Sequence, residues 1–365
     1  MKLECSIQKI KLAISRVEKI TGKNLTLPVL DSILFISSGK SLKLRATNLS
    51  LGVEIEISAK IIKEGSVLIK GDILSNIFNN LYQDGVIQLE NINNNLSLKT
   101  KDINILLKCQ PFEDFPTIPN ISGDSFKLPT KKFIDGIKSV YYSSSISDIK
   151  PEISSVFIYP EEDNLFFVAT DSFRLAEKKI KIKEIHDFDG ILIPFKNIPE
   201  IIKIFNDSNE DLNICLNKNL ISISTSDIYL TSRVIDGNFP DYKQIIPKGA
   251  TTEVVVLKQD LLNSLKIANI FSDKLNQINF KIKSKEKSFE ISSQNSDIGE
   301  NKIQINGAIS GVDVEMGFNY KYFLDCFQSI NQDSMVLSFD QANKPLTIKG
   351  VGDNTFIYLI MPMNK

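Results

Sequence analysis

The chain has 365 residues, 42% of them hydrophobic and 24% charged, which is typical of a folded protein with two to three domains and excludes a disordered or fibrous chain. The longest uncharged apolar run near either end, Phe356–Met363, is far shorter than the roughly 20 residues that a membrane span needs. No signal-peptide hydrophobic segment is present at the N-terminus. We therefore expect a cytoplasmic protein with no membrane partner.

Residue counts also exclude several kinds of site. The four cysteines, Cys5, Cys109, Cys215 and Cys326, contain no C-x-x-C pair, so neither a disulfide framework nor a thiolate zinc site is indicated. Because His186 is the single histidine, a metal centre with several imidazole ligands is excluded. His186 lies in a charged connecting stretch, where we expect an exposed loop residue. The net charge of −1 excludes a uniformly basic surface but permits a segregated one.

The first predicted elements, in chain order, are a helix over 6–23, a strand over 41–47 and a second helix over 70–82. The first helix carries an apolar stripe at Ile10, Ile14 and Val17. Two further strands, over 86–90 and 96–100, show the alternation of half-buried antiparallel strands.

This order recurs twice. Helices are predicted over 130–142 and 194–206, then over 257–268 and 319–330, with alternating strands over 220–225 and 289–293. Corresponding apolar positions lie about 125 residues apart. In the first helices they are Ile14, Ile137 and Leu265, and in the second helices Ile73/Ile77, Ile198/Ile202 and Phe323/Phe327.

The repeat predicts an α+β protein of three similar domains, each with two helices packed on antiparallel sheets. Clusters of proline, glycine and polar residues near Pro119–Asp124 and Pro247–Thr252 mark the linkers. We expect domains at 1–121, 122–248 and 249–365.

Charge is unevenly distributed over this plan. The six helical segments together carry a net positive charge, and the rest of the chain carries the balancing negative charge. One interpretation is ordinary solvated helix faces. The other is a continuous basic surface that faces a polyanion.

Motifs that resemble catalytic sites have simpler explanations. Gly39-Lys40-Ser41 lacks the first glycine of a P-loop, and Gly350-Val351-Gly352 lacks the third glycine of a dinucleotide fingerprint. Both are predicted to be turns. Glu113-Asp114 and Glu161-Glu162-Asp163 flank prolines, where solvated loop charge is expected. We predict no enzyme activity, cofactor or metal.

Five ordered motifs carry a resemblance that spans essentially the whole chain. They are Thr26–Leu30 (TLPVL), Phe112–Pro116 (FEDFP), Ala169–Ala176 (ATDSFRLA), Gly237–Tyr242 (GNFPDY) and Met361–Met363 (MPM). In order and spacing the chain resembles the bacterial DNA polymerase III beta subunit, the replicative sliding clamp.

The resemblance implies a DNA clamp fold with a head-to-tail homodimer closed into a ring around duplex DNA, bound without sequence preference. A processivity factor of this kind tethers the DNA polymerase III alpha subunit, the clamp-loader delta subunit and other proteins with a clamp-binding motif. A peptide-binding scaffold that does not encircle DNA, and a hydrolase built from the repeats, remain as alternatives.

The resemblance also implies three sets of site residues. At the dimer interface, Ile105 and Leu107 are expected to meet Ile270 and Phe271 of a second subunit, unless all four belong to the core. The DNA-facing set is expected among Lys9, Lys11, Arg16, Lys23, Lys131, Lys132, Lys138, Lys196, Lys203, Lys258, Lys266 and Lys321. Lys23 stands one place before Asn24, where the family usually has a basic residue.

The third set is a groove for client peptides. It comprises Lys150, Ile153, Thr170, Arg174, Leu175, Pro240, Ile245, Leu359, Ile360, Met361, Pro362 and Met363. Aliphatic and methionine side chains form an adaptable apolar floor, and Arg174 can donate hydrogen bonds to peptide carbonyls. For Leu359, a place in a last core strand is the alternative. Asn364 stands where the family often ends with arginine.

Overall fold

The structure is a computed structural model that describes residues 1–22, 26–82, 84–123, 125–182, 188–340 and 343–363. Two compact units are present. Unit 1 comprises Met1–Lys131 and Lys196–Val234, and unit 2 comprises Lys132–Phe195 and Ile235–Lys365. Within the described residues the chain is α+β with antiparallel strand pairing throughout, as predicted.

The order of elements repeats three times. Each repeat has a strand and a helix, then four or five strands, then a second helix and three strands. The first repeat is β1 (Lys2–Ser6), α1 (Ile7–Val17), β2 (Ser32–Ser38), β3 (Ser41–Thr47), β4 (Leu51–Lys63), β5 (Gly65–Lys70), α2 (Gly71–Asn79), β6 (Val86–Ile92), β7 (Asn95–Lys99) and β8 (Asn104–Lys108).

The other two repeats follow the same plan. The second is β9 (Ser125–Pro129), α3 (Thr130–Val140), β10 (Ser155–Glu161), β11 (Asn164–Thr170), β12 (Arg174–Lys181), β13 (Ile191–Pro194), α4 (Ile198–Phe205), β14 (Asp211–Leu216), β15 (Leu220–Ser224) and β16 (Ile228–Arg233). The third is β17 (Thr252–Leu257), α5 (Lys258–Ile270), β18 (Gln277–Lys283), β19 (Ser288–Asn295), β20 (Gly299–Ile305), β21 (Gly307–Gly311), β22 (Val314–Asn319), α6 (Tyr320–Cys326), β23 (Ser334–Phe339), β24 (Leu346–Gly350) and β25 (Phe356–Ile360).

Five of the six predicted helical segments contain one of these helices, whereas α5 ends at Ile270, two residues beyond the predicted segment 257–268. The stripes of the three first helices are buried. Burial of an apolar side chain stabilises the fold by about 1.5–3 kcal/mol, so these stripes fix the helix faces. At most 1% of each side chain is exposed at Ile10, Ile14, Val17, Phe133, Ile137, Val140, Leu261, Leu265 and Ala268.

The face of α2 differs from the prediction by one position. Ile73 is 42% exposed, whereas Leu74 and Phe78 are fully buried. Both pairs have the spacing of one helical turn, so periodicity alone does not separate them. The stripe that packs inward is therefore Leu74/Phe78 and not Ile73/Ile77.

One sheet of unit 1 passes from the first repeat into the second. Its strands follow the order β8-β7-β6-β1-β4-β16-β15-β14-β9. The N-terminal part of β4, from Leu51 to Ile55, pairs with β16, and the C-terminal part, from Ala59 to Lys63, pairs with β1. The long strand β4 thereby joins two repeats by hydrogen bonds.

Unit 2 has the same kind of junction. Its nine-stranded sheet has the order β13-β10-β11-β12-β25-β24-β23-β17-β21, and β12 of the second repeat pairs with β25 of the third. A separate four-stranded sheet has the order β20-β19-β18-β22. In both junctions the last strand of one repeat pairs with a middle strand of the repeat before it.

Candidate functional site

The turn between β11 and β12 is held by two side chains. The Thr170 hydroxyl donates to the Arg174 carbonyl at 2.7 Å, and Asp171 Oδ1 accepts from the backbone N–H groups of Phe173 and Arg174, each at 3.0 Å. These bonds support Ser172 at a φ of +78°, a conformation that a non-glycine residue adopts only with such local support. The turn presents Phe173 outward, 60% exposed.

Arg174 lies beneath this turn with its guanidinium largely inside unit 2. Nε donates to Asp171 Oδ2 at 2.9 Å, Nη1 donates to Asp325 Oδ2, and Nη2 donates to the Tyr142 carbonyl at 2.6 Å. Only 10% of the side chain is exposed. Burial alone would lower the pKa of Arg174, but its anionic neighbours raise it above the ordinary value. Arg174 is therefore a fixed, charged part of the site.

The C-terminal residues are docked rather than frayed. All five residues of β25 are buried, and beyond them the Met361 N–H donates to the Phe173 carbonyl at 2.8 Å. The Met363 N–H donates to the carbonyl of Gly317 on β22, also at 2.8 Å. Met361, Pro362 and Met363 remain half-buried. Terminal segments stay ordered only when tied down in this way.

Residues of the predicted groove separate into floor and rim. Leu175, Leu359 and Ile360 have exposed fractions of 3%, 2% and 0%. Leu359 and Ile360 thus lie in a core strand, the alternative that the sequence left open for Leu359. Thr170 and Ile153 are also buried, each 8% exposed. Lys150, Pro240 and Ile245 are exposed.

The buried groove residues Leu175 and Leu359 are part of an apolar cluster within unit 2. Tyr242 also belongs to this cluster, and Phe239 packs against it. Phe239 and Tyr242 flank Pro240, so this packing positions the segment from Pro240 to Ile245, in which Tyr242 is buried and Pro240 and Ile245 are exposed. The turn, the docked tail and this segment all belong to unit 2.

Sequence reasoning missed three contributors to this site. Tyr322 on α6 places its ring under the guanidinium of Arg174, 4.7 Å from Cζ to the ring centroid, and Asp325 on the same helix forms an ion pair with Arg174. Their spacing of three residues on one helix face is the signal that was available. Phe173, the exposed neighbour of Arg174 in the ATDSFRLA motif, was also left out.

The basic residues on the helices divide into two groups. Lys9, Lys131, Lys132, Lys196, Lys203, Lys266 and Lys321 are exposed, and Lys11, Arg16, Lys138 and Lys258 are half-buried. Some of these ammonium groups hold backbone carbonyls: Lys11 those of Asn79 and Leu81, Lys132 that of Lys181, and Lys258 that of Ile330. Lys11 thereby stabilises the C-terminal end of α2.

Several residues of the sequence analysis lie outside the described part of the chain: Lys23, Asn24, His186 and Asn364. The expected turns are present. Gly39 lies between β2 and β3 with a φ of +59°, and Gly352 lies between β24 and β25 with a φ of +76°. Glu113 and Asp114 are exposed. Glu161 forms an ion pair with Lys243.

The expected interface residues lie on partly exposed elements. On β8, Ile105 and Leu107 are half-buried, and Leu106 between them is 62% exposed. Ile270 ends α5 with 59% of its side chain exposed, and Phe271 follows it half-buried.

Neither a metal-binding group nor a membrane-spanning helix is found among the described residues. Among them, no group of three or more His, Cys, Asp and Glu side chains is arranged to hold a metal ion. Their helices are also all too short or too polar to cross a membrane.

Three repeats of two helices on antiparallel sheets, each repeat sharing a sheet with the next, define a clamp-type DNA-replication protein. Domain models of the DNA polymerase III beta subunit match along the chain: the N-terminal domain at residues 1–119, the central domain at 127–241 and the C-terminal domain at 243–364. The chain belongs to the DNA polymerase III beta subunit family, and its function is that of a DNA sliding clamp.

Individual relatives agree with this. The chain is similar to the beta sliding clamp of Rickettsia bellii, 27% identical over 373 residues that cover 98% of this chain and 97% of the relative. The fold matches the DNA polymerase III beta subunit of Thermotoga maritima, with a TM-score of 0.94, 24% identity and coverage of 100% and 99%. It also matches a Pseudomonas aeruginosa sliding clamp bound to griselimycin, with a TM-score of 0.94, 23% identity and full coverage of both chains.

Proposed function

We propose that the chain forms a head-to-tail homodimer that closes around duplex DNA and acts, without catalysing a reaction, as a processivity factor in the cytoplasm. The observation that carries this proposal is that two of the unfilled strand edges, β8 in the first repeat and β20 in the third, occupy positions that pair with each other between neighbouring repeats elsewhere in the chain. Within the described residues, β8 pairs only with β7, and β20 pairs only with β19.

The internal repeat indicates what fills these edges. β16 pairs with β4, and β25 pairs with β12, so a last strand pairs with a middle strand of the preceding repeat. β8 is the last strand of the first repeat, and β20 is the corresponding middle strand of the third. The missing junction is β20 of one subunit with β8 of another, which is a heterologous contact that closes when the rotation completes a ring.

Apolar side chains beside both edges support this joint. Leu106 on β8, Ile270 at the end of α5 and Ile298, which directly precedes β20, are all largely exposed. The Phe271 ring also lies near Gly299, because a Cβ built on Gly299 would come within 4.0 Å of it. Clustered exposed apolar residues are typical of an interaction surface. We therefore propose Ile105, Leu107, Ile270 and Phe271 as interface residues.

The helices supply the DNA-facing surface in this proposal. Exposed lysines that contact phosphates attract duplex DNA without reading its bases, which is what sliding requires. Lys9, Lys131 and Lys266 represent the exposed basic residues of α1, α3 and α5. Lys11, Lys132 and Lys258 contribute less, because their ammonium groups already hold carbonyls.

The site around Arg174 and the docked tail receives client peptides in this proposal. Phe173, Ile245 and the half-buried tail methionines offer apolar surface at the rim, and methionine adapts to several partners. The expected clients are the DNA polymerase III alpha subunit, the clamp-loader delta subunit and other proteins with a clamp-binding motif. The three domains are proposed to extend over 1–121, 122–248 and 249–365.

Two measurements test the ring, one on a double variant and one on the unaltered protein. In the double variant Ile270→Ala, Phe271→Asp, a charge would be buried at the joint, so we expect a folded monomer by analytical ultracentrifugation. The unaltered protein should stay on circular DNA after loading and slide off the same DNA once it is cut.

A matched control carries Val351→Asp, since Val351 is 45% exposed in the turn after β24. This control should remain dimeric. A dimeric double variant at micromolar concentration, or equal retention on circular and cut DNA, would contradict the proposal.

A further inference from the structure

Unit 1 contains a cavity of about 210 Å³ beside the turn between β3 and β4. Side chains and backbone of that turn form one wall, the linker around Ile118 forms a second wall, and Leu220, Thr231 and Arg233 complete the lining. The cavity lies at the junction of β4 with β16, where the first repeat meets the second.

The turn beside this cavity has the geometry of the turn above Arg174. The Thr47 hydroxyl donates to the Leu51 carbonyl at 2.7 Å, as Thr170 donates to Arg174. Asn48 Oδ1 accepts from the backbone N–H groups of Ser50 and Leu51 at 3.0 and 2.8 Å, in the manner of Asp171. Leu49 has a φ of +72°, close to the +78° of Ser172.

The strand that ends beside each turn is also placed alike. The Arg233 N–H donates to the Ser50 carbonyl at 2.9 Å, and the Met361 N–H donates to the Phe173 carbonyl at 2.8 Å. Arg233 therefore occupies in unit 1 the position that Met361 occupies in unit 2. Position by position, the cavity is the internal counterpart of the proposed client groove.

The two turns have the same geometry but carry different side chains at corresponding positions. Gly52 stands where unit 2 has Leu175, and a Cβ added to Gly52 would lie 3.1 Å from both Ile118 Cγ2 and Thr231 Oγ1. In unit 2 the Leu175 side chain fills this space. In unit 1 the half-buried Ile118 occupies part of it. Leu51 replaces Arg174, so the fixed internal charge beneath the turn is missing.

The positive charge beside this cavity is instead carried by Arg233, one of its lining residues. Arg233 is exposed, and within the described residues no carboxylate lies at ion-pair distance from its guanidinium. Among the described residues, no aspartate or glutamate lines the cavity, whereas Ile118 and Leu220 give it an apolar wall. An aliphatic side chain and a neighbouring carboxylate together match this lining, because arginine binds carboxylates through charge-assisted hydrogen bonds.

We propose that this cavity is a second peptide-binding site, which takes a short peptide with an aliphatic side chain next to a carboxylate. The peptide class rests on the proposed function, since it follows from the likeness to the client groove. The carboxylate preference rests on Arg233 alone. Each subunit then has two peptide sites of different charge selectivity.

Methyl NMR on the full-length protein tests this proposal. The probe is acetyl-Leu-Leu-Glu-amide, titrated to about 5 mM, with acetyl-Leu-Leu-Gln-amide as the uncharged control. We expect a saturable shift of the Ile118 methyl signals with the charged probe. The apparent affinity should fall about tenfold for the uncharged probe and for Arg233→Gln. Arg233→Lys should retain most of the affinity for the charged probe. Lys218→Gln, which removes an exposed charge from the turn between β14 and β15, should retain it as well.

The outcomes separate the two sites. Ile118 shifts that are unaffected by Arg233→Gln, or no Ile118 shift at the highest concentration, would overturn the proposal. Probe shifts confined to the Met361 methyl would overturn it too, while leaving the proposed client groove intact. If a polymerase-tail peptide fails to shift Met361 although the probe shifts Ile118, the client groove is wrong and the second site stands.

Discussion

The guanidinium of Arg174 stacks on the ring of Tyr322, with 4.7 Å between Cζ and the ring centroid. This contact connects β12 to α6, and the ion pair of Arg174 with Asp325 on the same helix reinforces it. Two adjacent repeats are thus linked through one side chain at the proposed client groove. Cation–π contacts of this kind gain strength when the cation is shielded from water.

Replacing Arg174 should therefore affect stability and peptide binding together. In Arg174→Ala, Asp171 Oδ2, Asp325 Oδ2 and the Tyr142 carbonyl each lose the hydrogen bond from the guanidinium. We expect a loss of about 2 kcal/mol or more in the free energy of unfolding by urea denaturation. Binding of a polymerase-tail peptide should weaken as well. Lys344→Gln, an exposed change in the same unit, serves as control. Unchanged stability in Arg174→Ala would contradict the structural role of the side chain.

Removal of the C-terminal tail should affect function more than folding. Deletion of residues 361–365 removes the two backbone hydrogen bonds to Phe173 and Gly317, which together contribute about 1–3 kcal/mol. We expect the dimer and its retention on circular DNA to persist, and binding of a polymerase-tail peptide, measured by fluorescence anisotropy, to be abolished. If the truncated protein binds that peptide with unchanged affinity, the groove lies elsewhere.

Charge removal on the helices should weaken DNA binding without altering sequence preference. In the triple variant Lys9→Gln, Lys131→Gln, Lys266→Gln, each lost phosphate contact should lower the salt dependence of binding by about one unit of slope. The measurement is a salt titration of affinity on two DNA duplexes of different sequence. A control triple variant of Lys40, Lys101 and Lys285 makes the same change in exposed turns. Equal effects in both variants would exclude the helices as the DNA surface.

The ion pairs of Glu54 should make unit 1 sensitive to acid. Burial alone would raise the pKa of Glu54, but hydrogen bonds from Lys43 and Arg45 outweigh it and lower the pKa from 4.5. A carboxylate with a depressed pKa stabilises the fold above its unfolded-state pKa, and that stability is lost as the pH falls. Glu54→Gln should therefore lose less stability than the unaltered protein between about pH 6 and 3.

The comparison uses urea midpoints across that pH range, with the exposed Glu113→Gln as control. If Glu54→Gln and the unaltered protein lose stability in parallel, the ion pairs contribute nothing to acid sensitivity.

The sequence allowed the helices and the hairpin strands to be predicted because both depend on local periodicity. The strand predicted over 41–47 is β3 with the same limits, Ser41–Thr47. The exchange of strands between repeats was not predicted, since pairing of β4 with β16 depends on contacts far apart in the chain. In β25 the run FIYLI has no alternation, because the strand is buried on both faces. Its position between β12 and β24 therefore became visible only in the structure.

Within the site, too, local features could be predicted from the sequence and contacts between distant residues could not. The turn at Thr170 and Asp171 could be expected, because these residue types form such turns from local hydrogen bonds. The role of Arg174 could not, since Asp325 lies 151 residues away along the chain. The sequence therefore suggested that the guanidinium of Arg174 is available to a ligand. In the structure each of its three nitrogens donates a hydrogen bond within the protein.

The junction of β4 with β16 also has a mechanical consequence. Five residue pairs, from Leu51–Ser232 to Ile55–Ile228, connect the two repeats side by side. A pull along the strand direction loads all of these hydrogen bonds in shear at the same time, whereas a pull across the strands opens them one after another. The junction is accordingly stiffer along the strands than across them.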